Sequence, residues 1–279
     1  KSTTTPRSTA APKVALNAEQ RAILDFILTN PSQSVFITGS GGTGKSVLIR
    51  EIAKSLPAQS TFLTAPTGVA ALNIGGITLH AFLRLQPDQQ YDLRSMFSKE
   101  STVWGDVQRR FWQCNTLIID EISMVDPSVF QALDRLAQIA RSCPKPFGGM
   151  QLILCGDFLQ LPPVNVHAES GLNEKEDDED EAMAEASSGA NNNSVKFQAP
   201  RQRWAPPNRC KADTSSKYCF QTNEWRRLKP KLFNLTQVMR QKEPELIDLL
   251  NKIRFGKQTD AQMRKIFLPP SEANISHDI

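Results

Sequence analysis

The chain has 279 residues, 39% of them hydrophobic and 22% charged, enough to bury a full core in one or two domains of ordinary soluble composition. No apolar run approaches the ~20 residues that cross a bilayer, so no membrane partner is expected. The net charge is +4, but residues 174–185 alone hold eight acids and one lysine, a local −7 that leaves +11 on the rest; a body that basic suits a polyanionic partner.

Residues 1–15 are rich in Ser, Thr and Pro, carry basic side chains and hold no acid. They predict a disordered tail, with a linker preferred over the remains of a transit peptide of similar composition. Leu16, Ile23, Leu24, Ile27 and Leu28 then have the spacing of an amphipathic helix. Asn17 and Gln20 fit a capping box at its start, and Pro31 lies just past its end.

The β-branched and aromatic run 34–38 predicts a buried strand. It enters Gly39-Ser40-Gly41-Gly42-Thr43-Gly44-Lys45-Ser46, after which the pattern through Leu56 is helical. The alternation continues with a strand in 60–67, a helix in 67–74 and a buried strand in 115–121. A helix follows in 126–142, with Asp126 as N-cap and Pro127 in its first turn, and then a buried strand in 150–157. Strands separated by helices predict an α/β domain of the P-loop type over 16–164, a parallel sheet with helices on both faces.

Two stretches interrupt that pattern. Residues 84–113 mix charges with Tyr91, Phe97, Trp104, Phe111 and Trp112. They predict a small insertion whose aromatics either stack on bases or, the preferred reading, pack a small local core. Residues 165–216 combine the acid run, a SSGANNN tract and a Pro/Arg segment, which predicts a disordered insertion. The domain resumes over 217–256, with a strand in 231–238 and a helix in 245–256 closed by Gly256. Residues 257–279 read as the start of a following segment. The five cysteines (Cys114, Cys143, Cys155, Cys210, Cys219) make no CxxC pair, arguing for a reducing compartment and against structural zinc. Cys114 and Cys155 fall in or beside apolar runs and are expected to be buried.

Gly39–Ser46 matches the Walker A pattern, with a strand before it and a helix after. Gly39, Gly41, Gly42 and Gly44, with Thr43 among them, let backbone N–H groups turn inward around phosphates at a helix N-terminus. Lys45 would neutralise the β- and γ-phosphates and Ser46 would ligate Mg²⁺. The run Leu117-Ile118-Ile119-Asp120-Glu121 looks like Walker B: a buried strand ending in two adjacent carboxylates needs a cation to meet them. Asp120 would hold Mg²⁺ through water, and Glu121 would orient or deprotonate the attacking water.

Further motifs narrow this NTPase. Ala65-Pro66-Thr67-Gly68-Val69-Ala70-Ala71 and Gly76-Ile77-Thr78-Leu79-His80-Ala81-Phe82 come first. Asp120-Glu121-Ile122-Ser123-Met124 and Gly156-Asp157-Phe158-Leu159-Gln160-Leu161-Pro162-Pro163-Val164 follow. Leu235-Thr236-Gln237-Val238-Met239-Arg240-Gln241 and Leu249-Leu250-Asn251-Lys252-Ile253-Arg254-Phe255-Gly256 complete the series. In this order, over 16–256 and broken by 165–216, the set resembles the PIF-type DNA helicases of superfamily one, in their RecD-like branch.

The resemblance implies a RecA-like fold using ATP and Mg²⁺. It implies movement along single-stranded DNA with five-prime-to-three-prime polarity, and unwinding of a duplex or fork. Roles in DNA repair, recombination and telomere or organelle genome maintenance follow, in the nucleus or the mitochondrion, as a monomer. Residue by residue, it implies that Gln20 bonds adenine, Gln160 sits near the γ-phosphate and reports nucleotide state, and Arg240 reaches the γ-phosphate. Thr67, Thr78, His80 and Phe82 would touch the DNA strand. Each has a plainer alternative: Gln20 as a helix cap, Phe82 as core, His80 as a structural histidine, Arg240 in a surface ion pair. The acid run is either a solvated face or a competitor for the DNA groove.

A PIF-type motor also carries a second RecA-like domain, and the 23 residues after Gly256 cannot hold one. The expectation is a fragment of a longer chain, which by itself binds ATP-Mg²⁺ but turns it over poorly.

Overall fold

The computed structural model describes residues 15–85, 102–163, 216–240 and 243–259. All belong to one compact unit built from 1–164 and 212–279; the other unit, 165–211, and with it the acid run and Cys210, lies outside the described residues.

Six described strands form one sheet: β1 (Val35–Gly39), β2 (Thr61–Ala65), β3 (Ile77–Thr78), β4 (Thr116–Ile119), β5 (Gln151–Cys155) and β6 (Lys231–Leu235). Their order is β3-β2-β4-β5-β1-β6, and every pairing is parallel. Parallel neighbours require crossovers, which helices supply. The described helices are α1 (Ala18–Thr29), α2 (Lys45–Ser55), α3 (Gly68–Ile74), α4 (Leu79–Leu83), α5 (Thr102–Gln113), α6 (Pro127–Ala140), α7 (Asn223–Leu228) and α8 (Pro244–Arg254), of which α1 precedes the first strand and α8 follows the last.

Strand periodicity sorts the core into two halves. Leu117 and Ile119 of β4, with Leu152 and Leu154 of β5, pack on one face with residues of α4, α5 and α6. Ile118, Ile153 and Cys155 point the other way and join Val35, Ile37 and the apolar stripes of α1, α2 and α3. Successive side chains on a strand alternate faces, so a strand covered on both sides is apolar on both, and the polar residues Thr116 of β4 and Gln151 of β5 satisfy each other at 3.2 Å. That is why β4 and β5 are wholly buried.

The local punctuation is as the sequence implies. Asn17 and Gln20 form a reciprocal capping box, Gln20 N–H to Asn17 Oδ1 at 2.8 Å and Asn17 N–H to Gln20 Oε1 at 3.0 Å. Asp126 caps α6 by accepting the Ser128 N–H at 2.7 Å. Cys114 and Cys155 are buried, as is Cys219.

Residues 102–113, expected as part of an insertion over 84–113, depart from that expectation. α5 belongs to the main core, with Val107, Phe111 and Cys114 fully buried and Trp104 packed against the same cluster. The charges that suggested an insertion occupy the other side of this helix, where Arg109 and Trp112 are exposed. Tyr91 and Phe97 lie outside the described residues.

A polar clamp fixes α5 against α6. Arg141 donates Nη1 to the carbonyls of Phe111 and Cys114 at 2.5 and 2.7 Å, and Nε to Gly148 O at 2.8 Å. Buried Asp134 accepts the Phe147 N–H at 2.6 Å and the Gln138 amide at 2.6 Å, holding the turn that feeds β5.

The sheet order puts β5 between β4 and β1. The loops leaving the carboxyl ends of β1, β4, β5 and β6 therefore converge on one edge, where parallel α/β sheets present their ligand sites.

Candidate functional site

The Gly39–Ser46 loop joins β1 to α2 and leaves no room for side chains at two of its glycines. A Cβ at Gly39 would stand 2.7 Å from Leu235 O, and one at Gly44, where φ is +82°, would stand 2.5 Å from Gln20 Nε2. A Cβ at Gly41 would meet nothing within 4 Å, so that side of the loop is open. No side chain caps α2, which leaves its first N–H groups for an anion. The Lys45 ammonium arcs over the loop and donates to Gly39 O at 2.7 Å and Ser40 O at 3.0 Å. Buried Thr43 ties the turn by donating its hydroxyl to Ser40 O at 2.9 Å.

Gln20 is placed differently from the expectation of an adenine contact. Its side chain is buried; Oε1 closes the capping box, while Nε2 donates to Thr43 O and Gly44 O, each at 3.3 Å. Both ends of the amide are engaged with protein, so Gln20 buttresses the loop from below.

The chain leaving β6 is strapped to the same loop. Gly42 O accepts the N–H groups of Met239 and Arg240 at 2.8 and 3.2 Å. Glu19, at the start of α1, accepts the Thr236 hydroxyl and the N–H groups of Thr236 and Gln237, the latter two at 3.1 and 3.3 Å. The Thr236 bonds hold the Glu19 carboxyl below its ordinary value. Arg240 thus faces the loop, and among the described residues no carboxylate pairs with it.

Asp120 and Glu121 follow buried β4. Asp120 is 4% exposed; it accepts the Glu121 N–H at 3.0 Å, and the Ser46 hydroxyl and the Cys155 thiol lie near enough to lower its carboxyl. Burial raises its carboxyl, and the bonds and Lys45 oppose that rise. Glu121 is raised by burial and then by the charge of Asp120. Its φ of +51° is a left-handed conformation that costs ~1–3 kcal/mol in a non-glycine residue and concentrates at active sites. Ser46 and Asp120 together offer only hard oxygen donors, a set that fits Mg²⁺.

Beyond β5, Asp157 is 1% exposed. It accepts both arms of Arg254 from α8, at 2.8 and 2.9 Å, and the Gln160 amide at 2.8 Å. Burial alone would raise its carboxyl, but the Arg254 and Gln160 bonds win and hold it low. Gln160, Arg240, Arg254 and Asn251 line a cleft of about 320 Å³ together with Ser40 and Gly41 at the tip of the glycine loop. Arg240 gives that cleft a basic group beside the glycine loop, while both arms of Arg254 are taken by Asp157.

The motif residues expected to touch DNA sit apart from the cleft, at the carboxyl ends of β2 and β3. Thr67 and Thr78 cap α3 and α4, accepting the Ala70 and Ala81 N–H groups at 3.2 and 3.1 Å. A hydroxyl that accepts at a cap keeps its own proton to donate. His80 is half-buried, and burial lowers its pKa against the opposing charge of Asp126.

Phe82 departs from expectation: it is 0% exposed, edge-on to Phe62 and Phe111 at 5.4 Å from each. It lies on the inner side of α4 and cannot meet a DNA strand. Phe82→Ala is expected to destabilise the fold by about 3–5 kcal/mol through the cavity it leaves, read as a lowered denaturant midpoint. A midpoint unchanged from wild type would contradict the core assignment.

The site thus unites Lys45, Ser46, Asp120 and Glu121 on one side with Gln160 and Arg240 on the other. Reading the sequence missed Asp157, Arg254 and Glu19. Asp157 and Arg254 fall inside quoted motifs, but nothing local signals a partner 97 positions away.

Comparison with known proteins points to one family. The sequence profile of the PIF1-like helicases matches residues 15–175. The chain is 36% identical over 267 residues to the human ATP-dependent DNA helicase PIF1, covering 96% of this chain and 33% of that protein. It is 36% identical over 252 residues to the ATP-dependent DNA helicase PIF7 of Trypanosoma brucei brucei, covering 90% of this chain and 21% of that one. Among solved structures, Pif1 helicase from Candida albicans superposes with a TM-score of 0.67 at 31% identity, over 90% of this chain and 47% of that one. Bacteroides Pif1 in complex with ADP-AlF3 and single-stranded DNA superposes with a TM-score of 0.68 at 26% identity, over 95% and 52%. The chain therefore spans between a fifth and a third of these curated relatives, and about half of the solved chains.

Proposed function

This chain belongs to the PIF1-like helicase family, and from that premise we propose that it binds ATP and couples its hydrolysis to movement along single-stranded DNA, unwinding the duplex ahead. The observation that carries the reading is the cleft itself. Gln160 and Arg240 line it from the loops after β5 and β6, beside Ser40 and Gly41 of the glycine loop, and Glu121 feels the charges of both Lys45 and Asp157.

The proposed chemistry is phosphoryl transfer to water, in which a protein mainly positions groups and stabilises charge. The glycine loop cradles the phosphates with backbone N–H groups, and the Lys45 ammonium leaves its carbonyl partners for the β- and γ-oxygens. Glu121, its carboxylate made more basic by burial and by Asp120, orients the attacking water and takes its proton. Arg240 stabilises the charge that spreads over the transferring group. Ser46 and Asp120 would hold Mg²⁺, which when bound neutralises the phosphate oxygens. Thr67 and Thr78 lie on the separate ledge at the ends of β2 and β3, with hydroxyl protons suited to DNA phosphates. Family membership also favours duties in repair, recombination and telomere or organelle DNA upkeep, in the nucleus or the mitochondrion.

The test is ATP turnover by the full natural chain with and without single-stranded DNA, alongside separation of a forked duplex. Strong stimulation by DNA together with strand separation is the expected result. Turnover indifferent to DNA would leave a P-loop ATPase and remove the motor.

A further inference from the structure

We propose that Arg254 is a positioning residue for ATP turnover, setting the side chain of Gln160 through the carboxylate of Asp157. The proposal rests on the ATPase reading above. Arg254 closes α8 and meets Asp157 with a fork: Nε to Oδ2 at 2.8 Å and Nη2 to Oδ1 at 2.9 Å. Two parallel bonds fix the plane of the carboxylate, which a single ammonium contact would not.

On that fixed plane Oδ2 accepts a second bond, from Gln160 Nε2 at 2.8 Å, while Oδ1 accepts the Leu159 N–H at 3.2 Å. The Gln160 N–H in turn reaches Asp157 O at 2.9 Å, so the loop folds over its own first residue. An ionised carboxylate only accepts, so the Gln160 nitrogen must face it. The carbonyl oxygen and the second N–H of that amide are left for other partners. Gln160 and Arg254 both line the cleft beside Ser40 and Gly41.

Stability alone does not explain this arrangement. A buried ion pair repays its desolvation poorly, and a well-packed apolar pair would hold α8 as well or better. What the fork supplies is direction. A displacement of α8 must turn Gln160 with respect to the glycine loop, because the two share one carboxylate.

The test is a mutant cycle on the full natural chain, reading DNA-stimulated ATP turnover for wild type, Arg254→Met, Gln160→Ala and the pair together. Each single change is expected to lower kcat by about 10²-fold, the loss that follows a misplacement of about 1 Å. KM for ATP should stay within about twofold, since the interaction matters at turnover. The double variant should fall no further than Gln160→Ala alone, because both act by one route; additive losses would overturn the proposal.

Arg254→Met strands a buried carboxylate, so Asp157→Asn with Arg254→Met removes that charge. This second double variant is expected to regain the wild-type melting temperature and stay slow. Turnover recovering together with the melting temperature would make Arg254 merely structural and overturn its role. A wild-type chain without DNA-stimulated turnover would overturn the ATPase reading instead, which the wild-type arm distinguishes.

Discussion

Glu121→Gln is expected to lower the DNA-stimulated kcat for ATP by about 10²–10⁴-fold, the range a positioned general base contributes, while leaving nucleotide affinity close to wild type. The substitution keeps the shape of the side chain and its left-handed backbone, and removes only the capacity to take a proton. It also relieves a repulsion, because Asp120 and Asp157 both push the Glu121 carboxyl upward. The variant should therefore be no less stable than the parent. Equilibrium binding of a fluorescent ATP analogue, set beside single-turnover hydrolysis, separates the two effects. Turnover within a fewfold of wild type would remove Glu121 from the base role and pass it to another group near the cleft.

Lys45→Ala is the second large effect, a loss of about 10²–10³-fold in kcat, the scale of removing one preorganised donor at a charge-bearing oxygen, with nucleotide affinity weakened as well. Lys45 bonds two carbonyls of its own loop, Gly39 O and Ser40 O, and no ion pair of the described residues includes it. The loop has other supports: the Thr43 hydroxyl, the Gln20 amide and the N–H groups of Met239 and Arg240. Melting should consequently stay near the parent value while binding and turnover fall together. A variant that hydrolyses ATP at the parental rate would refute the phosphate role. One that unfolds would show that the ammonium is a structural tie of the loop.

The two substitutions differ in kind. Losing Lys45 weakens attraction in the ground state and in the transition state, so binding and kcat both suffer. Losing Glu121 removes a proton acceptor needed only as the reaction proceeds, so kcat falls alone. Observing that contrast would assign the two sides of the site their separate tasks.

Elements were legible in the sequence wherever the deciding interaction spans a few residues. The capping box of Asn17 and Gln20, the Asp126 cap and the apolar runs of β4 and β5 are set by neighbours two or three positions away, or by the strand's own residues. The glycine loop belongs to the same class. Gly44 must be glycine because of its backbone angle, and the repeated G-x-G spacing records that requirement in one line of text. A parallel sheet follows from alternating strands and helices, since only a crossover can return the chain in the same direction.

Burial direction was harder to see. Phe82 lies in a motif whose neighbours Thr78 and His80 are expected to touch DNA, yet a helix of five residues has an inner side, and Phe62 and Phe111 pack there. Helix α5 hid among charges because its buried residues Val107 and Phe111 recur on one side, with Arg109 and Trp112 exposed on the other. Gln20 has one amide, and its spacing from Asn17 reveals the cap without revealing that the other end meets Thr43 and Gly44.

By itself, then, the sequence determined the α/β class, the glycine loop with Lys45 and Ser46, the paired acids after β4 and the order of the motifs. These are properties of short windows, where spacing and residue type carry the physics. Only the tertiary structure decided that Arg254 grips Asp157, that Glu19 and Gly42 strap the chain after β6 to the loop, and that Gln20 and Phe82 turn inward. Those outcomes depend on which strands lie side by side. The sheet order sets β5 between β4 and β1, and so brings together residues that no local signal pairs.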